Sequence, residues 1–164
     1  MGEIIVSVQR ITPFLWFDHQ AEEAVAFYCS IFRNSQVETV VRYGEAGPGP
    51  KGGVMTIAFE LDGQKFVALN GGPHFKFTEA ISFVVNCETQ QEVDEYWDKL
   101  SAEGKEIQCG WLKDRYGLSW QIVPTALIEM LRDKDPERSQ RVTKAMLQMK
   151  KLDLARLEEA YHQR

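Results

Sequence analysis

The chain has 164 residues, 44% of them hydrophobic and 26% charged, an ordinary globular balance that suits one domain or two small subdomains. Its net charge of −5 excludes a general binder of nucleic acid or anionic membrane, which needs a basic surface. No apolar run approaches the roughly 20 residues that cross a bilayer, the opening MGEIIVSVQR lacks the layout of a signal peptide, and three cysteines without a C-x-x-C spacing (Cys29, Cys87, Cys109) do not read as a disulfide scaffold or structural zinc site. A cytoplasmic protein is expected.

ITPFLWF is a β-branched and aromatic run, read as a strand, and AEEAVAFYCSIF carries Ala21, Ala24, Val25, Tyr28 and Ile31 at helical spacing. QVETVVRY reads as a second strand. After a Gly/Pro stretch, VMTIAFELDGQKFVALN gives two strands around Asp62-Gly63, a strong hairpin signal. The second half begins again with a strand, AISFVVNC, and a helix, TQQEVDEYWDKLSAEG, that ends at Gly104. A shift of 69 residues lays Ala21–Ala24 on Gln90–Val93 and Phe14 on Phe83, and a shift of 54 lays Gly63 on Gly117 and Phe66 on Trp120. The chain therefore reads as a duplicated strand–helix–strands unit, its first copy longer by 69 − 54 = 15 residues in the interval that holds the Gly/Pro stretch. Beyond Pro124 come three helical patterns, with Thr125, Asp135 and Asp153 as candidate N-caps and Pro136 at a first helical position. Val142, Ala145, Met146 and Met149 form a stripe that packs on the domain or on a second subunit.

The Gly/Pro stretch, YGEAGPGPKGGVM, contains G-x-G-x-x-G at Gly47, Gly49 and Gly52. A nucleotide-binding loop of that form lies between a strand and a helix, whose N-terminus holds the phosphate. Here a strand follows, and Pro48 and Pro50 remove N–H donors from the loop. The match is spurious as a phosphate cradle, which leaves a loop or a lid over a cavity, at residues 44–53.

The duplication, together with ITPFLWFD, NGGPHFKF and YGLSWQIVP, resembles the vicinal oxygen chelate (glyoxalase/bleomycin resistance/dioxygenase) superfamily. Within it the likeness is to the PhnB-like group, also labelled 3-demethylubiquinone 3-methyltransferase-like. The resemblance implies an α+β fold: paired βαβββ modules, about 9–72 and 79–124, forming a curved mixed sheet around a cavity. A domain over 1–124 would carry a helical extension over 125–164, as a homodimer. Relatives with this fold include enzymes and metal-free sequestering proteins, so the site has to decide the function. A nucleoside methyl donor normally wants a Gly-rich strand–helix turn, which this chain lacks.

In metal-dependent relatives four His, Gln or Glu side chains hold a divalent ion. The matching positions here are Thr12 or Pro13, Val67 or Ala68, Ile81 or Ser82, and Gln121. Only Gln121 is a plausible ligand, and one neutral amide cannot hold a divalent ion against water. No metal and no other cofactor is therefore expected, a divalent ion being the alternative. His74 is the one histidine that a turn could swing toward the cavity beside Asn70; it reads first as a loop residue, and His19 and His162 are scattered. No nucleophile has a base beside it in sequence.

What remains is aromatic and amide character. Thr12, Phe14, Trp16, Asn70, His74, Ser82, Trp111 and Gln121 are the candidate cavity residues, suited to a small aromatic or hydrophobic molecule. The leading reading is a metal-free small-molecule binding or sequestering protein. The alternatives are a divalent-metal lyase, transferase or dioxygenase and, from the group's label, a methyltransferase. No nucleic-acid or membrane partner is expected.

Overall fold

The computed structural model describes residues 9–163. The chain divides into two compact units, residues 1–76 and 77–164. In the first, β1 (Phe14–Phe17), α1 (Ala21–Ile31), β2 (Gln36–Arg42), β3 (Val54–Leu61) and β4 (Gln64–Asn70) build a four-stranded sheet in the order β1-β4-β3-β2. In the second, β5 (Ser82–Cys87), α2 (Gln90–Ser101), β6 (Lys105–Glu106), β7 (Trp111–Lys113) and β8 (Ser119–Pro124) repeat that order as β5-β8-β7-β6. Both sheets pair their first and last strands in parallel and the rest antiparallel. The duplication read from the weak self-similarity is thus a repeat of topology.

Each module follows from local signals. β1 begins at Phe14, later than the run ITPFLWF suggests, because Pro13 has no N–H to donate to a ladder; its carbonyl still accepts from Val67 N–H at 3.0 Å. Gly63, at φ +82°, turns β3 into β4 in the left-handed conformation that glycine adopts without strain. Thr89 caps α2 by accepting from Glu92 N–H, while Glu92 accepts from Glu88 N–H in return.

Each sheet has one face under a helix and one face open. In the first unit Leu15, Phe17, Ile57, Phe59, Leu61, Phe66 and Ala68 are buried with Ala21, Ala24, Val25, Tyr28 and Ile31 of α1. In the second, Leu112, Trp120, Ile122 and Cys87 are buried with Val93, Trp97 and Leu100 of α2. Burying each large apolar side chain is worth about 1.5–3 kcal/mol, so these covered faces hold the sheets to their helices.

The C-terminal helices α3 (Thr125–Leu131), α4 (Pro136–Leu147) and α5 (Leu154–His162) close around Leu127, Met130, Val142, Met149, Leu152 and Leu157. Asp135 and Asp153 cap α4 and α5 as expected, accepting from Glu137 N–H and Arg156 N–H. Thr125 is not a cap: it is the first residue of α3, and Pro124 holds the cap position without a side-chain bond. The segment between α4 and α5 is tied to the second sheet's unit. Cys109 N–H donates to Met149 O, Gly110 N–H to Lys150 O, and the Gln90 amide bridges Leu152 O and Leu154 N–H.

Candidate functional site

The open face of the second sheet brings three of the expected residues together. Parallel pairing sets Ser82 beside Ser119 and Val84 beside Gln121, and β7 adds Trp111 on the other side of Gln121. The Gln121 amide donates to Ser82 Oγ at 2.9 Å, which fixes its plane and leaves its carbonyl oxygen as an acceptor. Val84 is 48% exposed beside it. Ser119 Oγ, fully buried on the same side, makes no hydrogen bond among the described residues. Lys113 ends this row and holds Glu79 in an ion pair, which keeps the Glu79 carboxyl below its ordinary range. Trp120 alternates to the covered face, where its indole N–H donates to Asp114 Oδ2 at 2.9 Å.

The open face of the first sheet is aromatic along β1 and polar farther across, where Glu60 pairs with Lys65. Phe14, 58% exposed, pairs with Val67, and Trp16 pairs with Leu69. Phe75 meets the Trp16 ring edge-on at 4.9 Å, a contact not anticipated although it lies in NGGPHF. The Trp16 indole N–H is fixed by Gly72 O at 2.9 Å, and Gly71 is needed there because a Cβ would run into the Trp16 ring. His74 is exposed in the same turn, and Thr12 precedes the strand, donating to Gln9 O.

Asn70 lies on the opposite face from Phe14 and Trp16, since it pairs with Phe17. Its Oδ1 accepts from Ala21 N–H at 2.8 Å and its Nδ2 donates to Glu22 Oε1 and Val54 O, so it caps α1, which has no side-chain cap of its own. Beside it the Gly/Pro stretch closes on Tyr43. The Tyr43 hydroxyl donates to Asn70 O at 2.5 Å, and a Cβ on Gly47 would stand 2.9 Å from its ring; one on Gly49 would enter the ring. Two of the glycines in the spurious motif thus serve the packing of a strap on one tyrosine. Between the strap and the start of α1 is a cleft of about 380 Å³ lined by Asp18, His19, Glu22, Tyr43 and Asn70 among others. Tyr43, Asp18 and Glu22 were missed as site residues; the signal for Tyr43 was its place at the mouth of the loop.

The donor set does not suit a divalent ion. The paired first and last strands carry Phe14, Trp16, Val67 and Leu69 on the open face of one sheet and Ser82, Val84, Ser119 and Gln121 on that of the other, and two hydroxyls with an amide are not the anionic or imidazole set such an ion needs. Among the described residues no group of three or more His, Cys, Asp or Glu is placed to hold a metal. Cys87 is buried, which pushes its thiol up to about 12, with Glu92 adding to the shift.

The family model described as 3-demethylubiquinone-9 3-methyltransferase matches residues 9–123. The chain belongs to this family. A similar solved structure, a 3-demethylubiquinone-9 3-methyltransferase-like PhnB protein from Bacillus cereus, is 40% identical over 71% of this chain and 99% of its own, with a TM-score of 0.65. A protein of Pseudomonas aeruginosa is 19% identical over 71% of this chain and 98% of its own, with a TM-score of 0.59. The fosfomycin resistance protein FosX from Listeria monocytogenes is 14% identical over 78% of this chain and all of its own (100%), with a TM-score of 0.57. At those identities the last two speak for the fold alone. Curated proteins give no match. The vicinal oxygen chelate fold with C-terminal helices, expected from the sequence, is the fold of this protein. No helix among the described residues is long and apolar enough to cross a membrane.

Proposed function

We propose that this member of the family binds a small planar or hydrophobic molecule on the open faces of its sheets, without a metal ion. The observation that carries the reading is the row Trp111–Gln121–Val84 with Ser82. It sets a polar handle, held at 2.9 Å by a serine, in an apolar surface. Ligand sites are built in that way, with few polar groups that orient and many apolar ones that bind. Phe14, Trp16 and Phe75 supply a second surface of the same character. A homodimer is part of the proposal: Ile81 at 69% and Val37 at 52% exposure are apolar area that a second copy would cover. The family description names a methyltransferase; the Gly-rich stretch that could have taken a nucleoside donor is followed by β3 and folds on Tyr43.

Titration with N-phenyl-1-naphthylamine, an uncharged aromatic probe, tests this on protein dialysed against chelator. Binding that is saturable, and weakened at least tenfold by Gln121→Ala or Trp111→Ala in a folded variant, is the expected result. A stoichiometric ion found by mass spectrometry after dialysis against zinc, manganese, nickel or iron, and lost with Gln121→Ala, would overturn the metal-free reading. Specific binding of S-adenosylmethionine would restore the methyltransferase one.

A further inference from the structure

The groove between α4 and α5 lies outside the face just described. About 340 Å³ in volume, it is lined by Arg141, Lys144 and Ala145 from α4 and by Arg156, Glu159 and Ala160 from α5, with Gln163 at the end. Two alanines leave room between the helices, and three cations face one carboxylate. In a chain of net charge −5 this is a local excess of positive charge.

Two other cations of the C-terminal segment are held in ion pairs. Arg138 sits against Asp133 and Asp135, and Lys151 against Asp94. Neither Lys144 nor Arg156 has a carboxylate within ion-pair distance among the described residues, and Glu159 is equally unpaired. Arg141 is held in place: Nε donates to Ala160 O at 3.0 Å and Nη2 to Tyr161 O at 3.2 Å, while Nη1 makes no hydrogen bond among the described residues. A guanidinium fixed by two carbonyls loses little freedom when it takes an anion, and its fork suits oxyanions.

We propose that this groove is a binding site for a small multivalent oxyanion, a phosphate or a di- or tricarboxylate, with Arg141 as the fixed donor and Lys144 and Arg156 closing from the two walls. One anionic charge would face an excess of two positive ones, three cations less Glu159, so a singly charged ion should bind weakly and a multivalent one well.

Isothermal titration with inorganic phosphate and with citrate, at constant ionic strength set by chloride, tests it on the full chain. Saturable binding of either is expected, at least tenfold weaker in Lys144→Ala/Arg156→Ala and retained in Lys144→Arg/Arg156→Lys, with melting temperature reporting that the variants fold. Phosphate alone would assign the site to a phosphate group, and citrate alone to a polycarboxylate. No saturable heat with either anion, or equal binding by the double alanine variant, would overturn the proposal.

Discussion

Asn70 Oδ1 accepts the backbone N–H of Ala21 at 2.8 Å, so the last residue of one strand caps a helix 49 positions earlier in the chain. A free N–H at a helix start must find an acceptor, and Gln20 in the cap position supplies none. Replacing a cap of this kind costs about 0.5–2 kcal/mol. Asn70→Ala should therefore lower stability by about 1–2 kcal/mol in urea unfolding, with α1 exchanging amide hydrogens faster. Asn70→Asp keeps the acceptor but sets a carboxylate against Glu22 and loses the donation to Val54 O, so it should also destabilise. An unchanged midpoint in Asn70→Ala would return this residue to the list of ligand contacts.

The strap at Tyr43 makes a second, sharper expectation. Gly49→Ala places a methyl group inside the Tyr43 ring, so ring or loop has to move. Loss of the Tyr43 hydroxyl bond to Asn70 O costs about 0.5–1.5 kcal/mol. Gly49→Ala should thus make residues 44–53 a protease target, while Tyr43→Phe should keep them protected. Equal protease resistance in both variants would mean that the strap is held by something other than this packing.

The parts of the fold legible in the sequence were those set by local chemistry. Helical spacing in α1 and α2, Asp62-Gly63 at the hairpin, and Asp135 and Asp153 at their helices all act within a few residues. Strand alternation also placed Phe14 and Trp16 on one face and parted Trp120 from Gln121. What alternation could not reveal was the face of Asn70. That depends on the register of β4 against β1, fixed by a pairing more than 50 residues apart, and it puts Asn70 under α1 rather than beside Trp16. Phe75 was hidden for the same reason, since its contact with Trp16 is made by a turn.

Asp114 and Ser119 carry opposite expectations although both are buried and polar. Asp114 accepts from Tyr116 N–H, Leu118 N–H and the Trp120 indole, organising the turn into β8. Its removal leaves buried donors unsatisfied, at about 1–3 kcal/mol for each group. Asp114→Ala should therefore lose at least about 2 kcal/mol and shift the Trp120 emission. Ser119 Oγ satisfies nothing, so Ser119→Ala should hold or gain stability. A loss of about 1 kcal/mol or more there would show that its hydroxyl has a partner in solution, and would add Ser119 to the row of Ser82 and Gln121.

Cys87 links burial to pH. The thiol is fully buried, its pKa pushed up to about 12 by desolvation and then by Glu92. An unfolded cysteine titrates near 8.5, so between those values the folded protein binds a proton that the unfolded chain has released. Stability from this group is complete below the unfolded pKa and is lost as pH rises toward the folded one. Urea midpoints should therefore fall from about pH 9 upward, the range set by that unfolded value, and Cys87→Ala should flatten the fall. At pH 8 a thiol reagent should leave Cys87 unlabelled in the native protein and label it at once in denaturant, because the thiolate is the reactive form. Rapid native labelling of Cys87, mapped by peptide mass, would mean that the covered face of the second sheet opens far more readily than its packing under α2 allows.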